Sequence, residues 1–258
     1  MTQIIKEHIL ELEDMKKYPK ELFYRGSLEL IKRPKVSIVG TRRPSAYTRQ
    51  CTYKLAKAMA SRGVCVVSGA AMGVDSIAHD GAGADNTIAV VANGLDLKYP
   101  AVNRQQIESI EKSGLVMSQF KDGFRATAWS FVVRNELVVA LGDILIVTQA
   151  DLNSGSMRSV EYAQKMGKEI WVLSHRIDES LGTNKLLSDG KANIILDIEK
   201  FASRFGKDVQ SNILKDEFFY FCQKSPTFDE TVEKFGSRVY EAELEGSVTI
   251  HNGIVTLQ

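Results

Sequence analysis

Seven short apolar runs, separated by segments of helix length, constrain this chain more than any other feature. The runs are residues 36–39, 64–67, 87–92, 115–118, 144–148, 169–174 and 193–196. Most are apolar throughout instead of alternating, as strands covered on both faces require. Between them, residues 48–61, 74–82, 103–113, 129–141 and 157–166 carry helix-length patterns. Gly63, Gly114, Gly142 and Gly167 end four of these, where a left-handed C-terminal cap favours glycine. Repeated β-α alternation predicts an α/β fold with a doubly wound, mostly parallel sheet.

The alternation fades after Phe205, and residues 206–211 read as a linker. Beyond it, residues 213–222, 227–235 and 239–245 look like short helices. Two β-rich runs, 247–250 and 254–257, flank Asn252-Gly253, a strong hairpin signal. Three helices and a hairpin suggest a winged-helix-like module. The expected domains are therefore 1–206 and 211–258.

Composition excludes several classes. The 258 residues are 44% hydrophobic and 25% charged, ordinary values for a globular chain and unlike disordered or collagen-like ones. Apolar runs such as Val64-Cys65-Val66-Val67 fall far short of the ~20 residues a membrane span needs. The first residues lack a signal-peptide layout. Cys51, Cys65 and Cys222 are scattered and odd in number, which argues against a disulfide framework or zinc knuckle and for a cytoplasmic setting.

The net charge of +1 conceals an asymmetry. From Leu30 to Val74 there are nine basic residues and no acid: Lys32, Arg33, Lys35, Arg42, Arg43, Arg49, Lys54, Lys57 and Arg62. Such a stretch creates a phosphate-attracting field, or is simply a solvated basic face; charge alone leaves both open. From Asp216 to Glu245, eight acids oppose three basic residues, a local net of −5.

Three Gly/Ser-rich turns follow strand candidates. Gly40-Thr41-Arg42-Arg43-Pro44-Ser45 follows the first, Ser68-Gly69-Ala70-Ala71-Met72-Gly73 the second, and Asn153-Ser154-Gly155-Ser156 the fifth. In a parallel sheet all three lie on the carboxyl edge, where ligands bind. A glycine opening onto a helix N-terminus is an anion site. The first turn is neither G-x-G-x-x-G nor a P-loop, which disfavours NAD and ATP, and guanidinium groups suit phosphates instead. No cofactor is expected. Asp75 and His79, four residues apart on one helix, admit an acid–base pair, although a capping aspartate with a structural histidine is the stronger reading. Trp129 and Phe131 read as core or as surfaces for base stacking. The four histidines lack metal-ligand spacing, and no nucleophile or carboxylate pair points to catalysis.

These residues resemble the DNA processing protein A (DprA/Smf) family. Gly40–Tyr47 is similar to its first-strand motif and Ser68–His79 to its Ser-Gly-x-Ala-x-Gly-Ile-Asp-x-x-Ala-His turn. Gly94-Leu95-Asp96, Tyr99–Asn103, then Trp129, Phe131, Arg134 and Asn135, Ser154–Ser156 and Gly182-Thr183-Asn184 follow in family order, covering roughly Tyr18 to Gly190. Glu136 and Met72 stand where the family carries basic residues, and Ser174-His175 replaces a Pro-Gly.

The resemblance implies an extended Rossmann-like domain that is not an enzyme. It would bind single-stranded DNA in natural transformation, protect it, and load a RecA-type recombinase, as a homodimer. Arg42 and Arg43 would hold phosphates. Gly40, Thr41, Ser45, Ser68, Gly69, Gly73, Ser154, Gly155 and Ser156 would line the cleft, Phe131 and Asn135 would meet bases, and Lys121 would add charge. The alternative is a nucleotide-processing enzyme of related fold, a nucleoside-monophosphate phosphoribohydrolase. Those enzymes carry a Pro-Gly-Gly-x-Gly-Thr turn with a catalytic Glu, and Asn153–Ser156 has neither the proline nor the acid in register.

Overall fold

A computed structural model describes residues 2–206, 217–251 and 253–257. The chain divides into two units, Met1–Asp208 and Val209–Gln258. The first unit opens with two short strands, β1 (Gln3–Ile4) and β2 (Phe23–Gly26). Then β3 (Lys35–Val39), α1 (Ala46–Ala60), β4 (Cys65–Ser68), α2 (Val74–Ala82), β5 (Thr87–Val91), α3 (Arg104–Ser113) and β6 (Leu115–Ser118) follow. The chain returns through α4 (Ala128–Leu141) to β7 (Ile144–Val147), α5 (Gly155–Lys165), β8 (Ile170–Leu173), α6 (Leu181–Ser188), β9 (Asn193–Ile195) and α7 (Ile198–Ala202).

These strands form a nine-stranded sheet ordered β1-β2-β6-β5-β4-β3-β7-β8-β9. Pairing is parallel from β6 to β9, and β1 and β2 join antiparallel at one edge. All seven strand candidates are present. The antiparallel edge was not foreseen, and neither were α6 and α7. After β3 the chain builds outward through β4, β5 and β6, then crosses back to place β7 on the other side of β3. The carboxyl ends of β3 and β7 thus flank a topological switch point, the usual place for a ligand crevice.

Both faces of the sheet are covered, which explains the unbroken apolar runs. Val36, Ile38, Val66 and Ile146 pack beneath α1, α2 and α7, whereas Val39, Val67, Val90 and Val147 pack beneath α4, α5 and the N-terminal segment. Ala89, Val91 and Val116 meet α3. Inside β3, Ser37 donates its hydroxyl to the Val138 carbonyl (2.6 Å). Ser45 caps α1 by accepting the Thr48 amide, and Thr127 and Ser130 form a reciprocal capping box on α4.

Gly63 and Gly167 have φ of 77° and 65°, as left-handed caps require. Gly114 and Gly142 do not, with φ of −113° and −82°. Crowding makes them glycine: a Cβ at Gly114 would strike the Ala84 carbonyl, and one at Gly142 would strike Ser37.

In the second unit, α8 (Glu217–Cys222), α9 (Phe228–Phe235) and α10 (Arg238–Leu244) precede the antiparallel pair β10 (Val248–His251) and β11 (Ile254–Leu257). Three helices followed by a hairpin is the order expected from the sequence. Phe218, Cys222, Val239, Ala242, Val248 and Val255 form its own core. Residues 207–211 of the linker, the first part of the expected helix 213–222 and Asn252 lie outside the described residues.

Helices α1 and α2 approach so closely at Gly81 that a Cβ there would sit 2.5 Å from the Tyr53 carbonyl oxygen. Gly81→Ala is expected to cost about 1–3 kcal/mol, as overpacking does. Urea titration checks this as a lower midpoint with an unchanged slope.

Candidate functional site

An open cleft of about 680 Å³ lies over the carboxyl ends of β3, β4 and β7. Its walls come from the three βα turns singled out in the sequence, together with the first two turns of α4. The β3 turn contributes Gly40, Thr41 and Arg42, the β4 turn Gly69 and Ala71, and the α5 start Ser154, Gly155 and Ser156. Phe131 and Asn135 of α4, Asp75 of α2 and Arg158 of α5 also line it.

Backbone bonds hold the first turn in place. The Thr41 amide donates to the Gln149 carbonyl (2.8 Å), and the Val74 amide donates to the Thr41 carbonyl (3.1 Å). The Gln149 side chain also accepts from the Ser45 amide (3.0 Å). The loop after β3 is therefore fastened to the loop after β7 and to the start of α2. Gly73 permits this, because a Cβ at that residue would come within 2.5–2.6 Å of the Thr41 and Arg42 backbone.

Beneath the cleft sits Arg134, only 4% exposed. Its Nη1 donates to the carbonyls of Gly69 and Val90, the latter at 2.9 Å. Burial depresses its pKa, and the nearby Asp75 carboxylate opposes that shift. Asp75 is buried too; desolvation raises its pKa, while the Arg134 charge and the Ala71 amide counteract it. Asp75 does not cap α2, whose N-cap is Gly73; it bonds back to the Ala71 amide instead (3.4 Å).

Two cations lie close to the Phe131 ring, with Arg42 Cζ at 5.4 Å and Arg134 Cζ at 5.8 Å from its centroid. Tyr99, half exposed, tilts against it at 6.0 Å. Trp129, read as core or as a stacking surface, is 63% exposed.

At the far wall, α5 begins with Ser154 as N-cap and no acid in its first turn. Among the described residues the buried Ser154 hydroxyl has no hydrogen-bond partner. An uncapped helix N-terminus of this kind presents free amides and partial positive charge. Asn135 Nδ2 lies 3.5 Å from the Gly155 carbonyl.

The other sequence candidates lie elsewhere. Ser68 is fully buried and donates to the Ile38 carbonyl (2.6 Å), and Ser45 serves as a helix cap. Arg43 is exposed outside the cleft lining, and its amide is accepted by the Thr41 hydroxyl (3.2 Å). Lys121 pairs with Glu21 (3.1 Å) and does not line the cleft. Glu136 also turns away, accepting the Lys16 amide (2.8 Å). Sequence reasoning missed Arg158 as a lining residue and the roles of Asp75, Arg134 and Gln149. For Arg134 a signal existed, a lone cation inside the apolar run Phe131-Val132-Val133…Leu137-Val138-Val139.

His79, one turn beyond Asp75, is buried and neither ring nitrogen has a partner. Burial, aided by the Arg134 charge, lowers its pKa from 6.5 to about 3. Between those values the unfolded chain binds a proton that the folded chain does not, so stability falls as pH drops through 6.5. Asp75 acts oppositely: burial raises its pKa above the ordinary 3.8, so its protonation favours the folded chain as pH falls. His79→Gln is expected to flatten the acid limb of stability between roughly pH 6.5 and 4.5, measured as urea midpoint against pH.

The family described as DNA recombination-mediator protein A matches residues 5–206. Protein Smf of Synechocystis is 33% identical over 72% of this chain and 48% of its own length. DNA processing protein DprA of Streptococcus pneumoniae is 33% identical over 70% of this chain and 65% of its own. The chain thus spans about half to just under two thirds of these curated relatives. Among solved structures, DNA processing protein A from Helicobacter pylori, described for its single-stranded DNA binding mode, superposes with a TM-score of 0.77 at 40% identity. That match covers 79% of this chain and 95% of the other. DprA from Streptococcus pneumoniae gives 0.73 at 29% identity, covering 80% and 75%. The match over residues 5–206, the sheet with its switch-point cleft and the order of the motifs lead to one assignment: the chain belongs to the DNA recombination-mediator protein A family.

Proposed function

We propose that this protein binds single-stranded DNA in the switch-point cleft, protects incoming strands during natural transformation and passes them to a RecA-type recombinase. The observation that carries the reading is the chemistry of the cleft lining. Amides and hydroxyls of three βα turns, Arg42 and the α5 N-terminus converge on one open groove, and the one acid lining it among the described residues, Asp75, faces a buried arginine. Donors of this kind suit phosphates, and Phe131, with two guanidinium groups close to its ring, offers an aromatic surface for an unpaired base. The Helicobacter pylori relative's single-stranded DNA binding supports the same assignment.

Binding without chemistry is part of the proposal. A phosphoribohydrolase needs a free carboxylate at the sugar, whereas Asp75 is engaged by the Ala71 amide and the Arg134 charge. A homodimer in the cytoplasm completes the reading. Among the described residues no helix is long and apolar enough to cross a membrane.

The test is filter binding of single- and double-stranded DNA across a salt series. Single strands are expected to bind more tightly, with a log–log slope near −0.7 per phosphate neutralised. Arg42→Ala should cost about 1.5–3 kcal/mol of binding free energy, as loss of a charge-assisted hydrogen bond does. A flat salt response or a preference for duplex rejects the reading.

The second unit is proposed to dock a protein surface, not DNA. Its α10 and the residue after it expose Glu241, Glu243 and Glu245, which would meet phosphates with like charge. The isolated segment 211–258 is expected to show no DNA binding at physiological salt in the same assay.

A further inference from the structure

The nine basic residues between Leu30 and Val74 fall into three groups. Four are engaged within the first unit. Lys32 pairs with Glu29 (2.8 Å), and Arg33 donates to the Gly63 carbonyl and to Asn86. Lys35 is buried against Glu11 and the Ile31 carbonyl, and Arg62 bonds to the Ala58 carbonyl and Glu199. Arg42 and Arg43 belong to the cleft loop. The remaining three, Arg49, Lys54 and Lys57, stand exposed on α1, and no acidic side chain pairs with them among the described residues.

Helix geometry gathers these three on one face. At about 100° per residue, Arg49, Tyr53, Lys57, Gln50 and Lys54 fall in that order across an arc of roughly 140°. All five are exposed, and Tyr53 shows 43% of its surface. The opposite side of α1, with Thr48, Thr52, Leu55 and Met59, is buried against the sheet and α2. The whole of α1 contains no acid. Its N-terminus is joined directly to the cleft: Gly40–Arg42 leads through the Ser45 cap into the first turn.

We propose that this face of α1 is a second stretch of nucleic-acid contact, taking the phosphates of a strand after it leaves the cleft. The inference rests on the cleft reading above. Two lysines and an arginine spaced along a helix, with one exposed ring among them, hold a backbone without reading sequence. The rise from Arg49 to Lys57 is about 12 Å, room for three or four stacked nucleotides at ~3.4 Å each. Continuity with the cleft favours a nucleic-acid strand over an acidic protein surface.

The test is the full chain carrying Arg49→Ala, Lys54→Ala and Lys57→Ala together. It is assayed with oligothymidylates of about 6 and about 30 nucleotides across a salt series. The short oligomer, which the cleft alone accommodates, should bind as it does to the unaltered chain. For the long oligomer the salt slope should shrink by about 2, and affinity at 0.1 M salt should fall by up to about a hundredfold. Unchanged binding of the long oligomer overturns the proposal and leaves the face to an acidic protein partner. An equal loss on both lengths also overturns it, because the effect would then be a general field or a damaged fold. Arg42→Ala run in parallel reports on the cleft separately: if it weakens neither length, the cleft reading fails, while the α1 face is still judged by the triple variant.

Discussion

A guanidinium buried beneath the switch point is the interaction on which the carboxyl edge of the sheet depends. Strand ends there carry carbonyls whose hydrogen bonds the ladder no longer supplies, and Arg134 takes two of them, from Gly69 and Val90. Removing a cation from water is costly unless it is paired and bonded. Asp75, on the helix that follows Gly69, provides the counter-charge and is itself fixed by the Ala71 amide. The arginine comes from α4 on one face of the sheet and the aspartate from α2 on the other, so the pair joins the two helical layers through the gap at the strand ends. Phe131 rests above that pair, and the floor of the cleft is defined before any side chain of its rim is considered.

How much of this was legible in the sequence varies with the physics involved. Central strands such as Val36–Val39 announce themselves because both faces must be apolar. The strand Phe23–Gly26, which lies between β1 and β6, is short and mixed in character, so no apolar run marks it in the sequence. The three βα turns were legible because parallel strands force their carboxyl ends to one edge. Side-chain direction was not: Ser68 sits in the right turn but closes a hydrogen bond to the sheet interior, and Arg43 follows Arg42 yet points away from the cleft lining. Only the register of the loop, fixed by Thr41, Gln149 and Val74, separates the two arginines.

Charge counting has the same blind spot. Lys35 and Arg49 contribute equally to the acid-free stretch, yet one is 3% exposed and bonded to Glu11, and the other faces solvent. A sequence window therefore overstates the field that a ligand feels. The opposite holds for Arg134, which lies outside that stretch and still brings a positive charge close to the cleft.

The three loops of the cleft are tied to one another by main-chain atoms, Thr41 to Gln149 and Val74 to Thr41. Main-chain ties do not depend on which side chain a position carries. The side chain at Arg42 is thus free to be exchanged while the path of the loop persists, and the groove's shape and its chemical preference become separately tunable. A scaffold with that property tolerates drift in its lining and invites deliberate redesign, because altering what the groove prefers does not require rebuilding the turn that presents it.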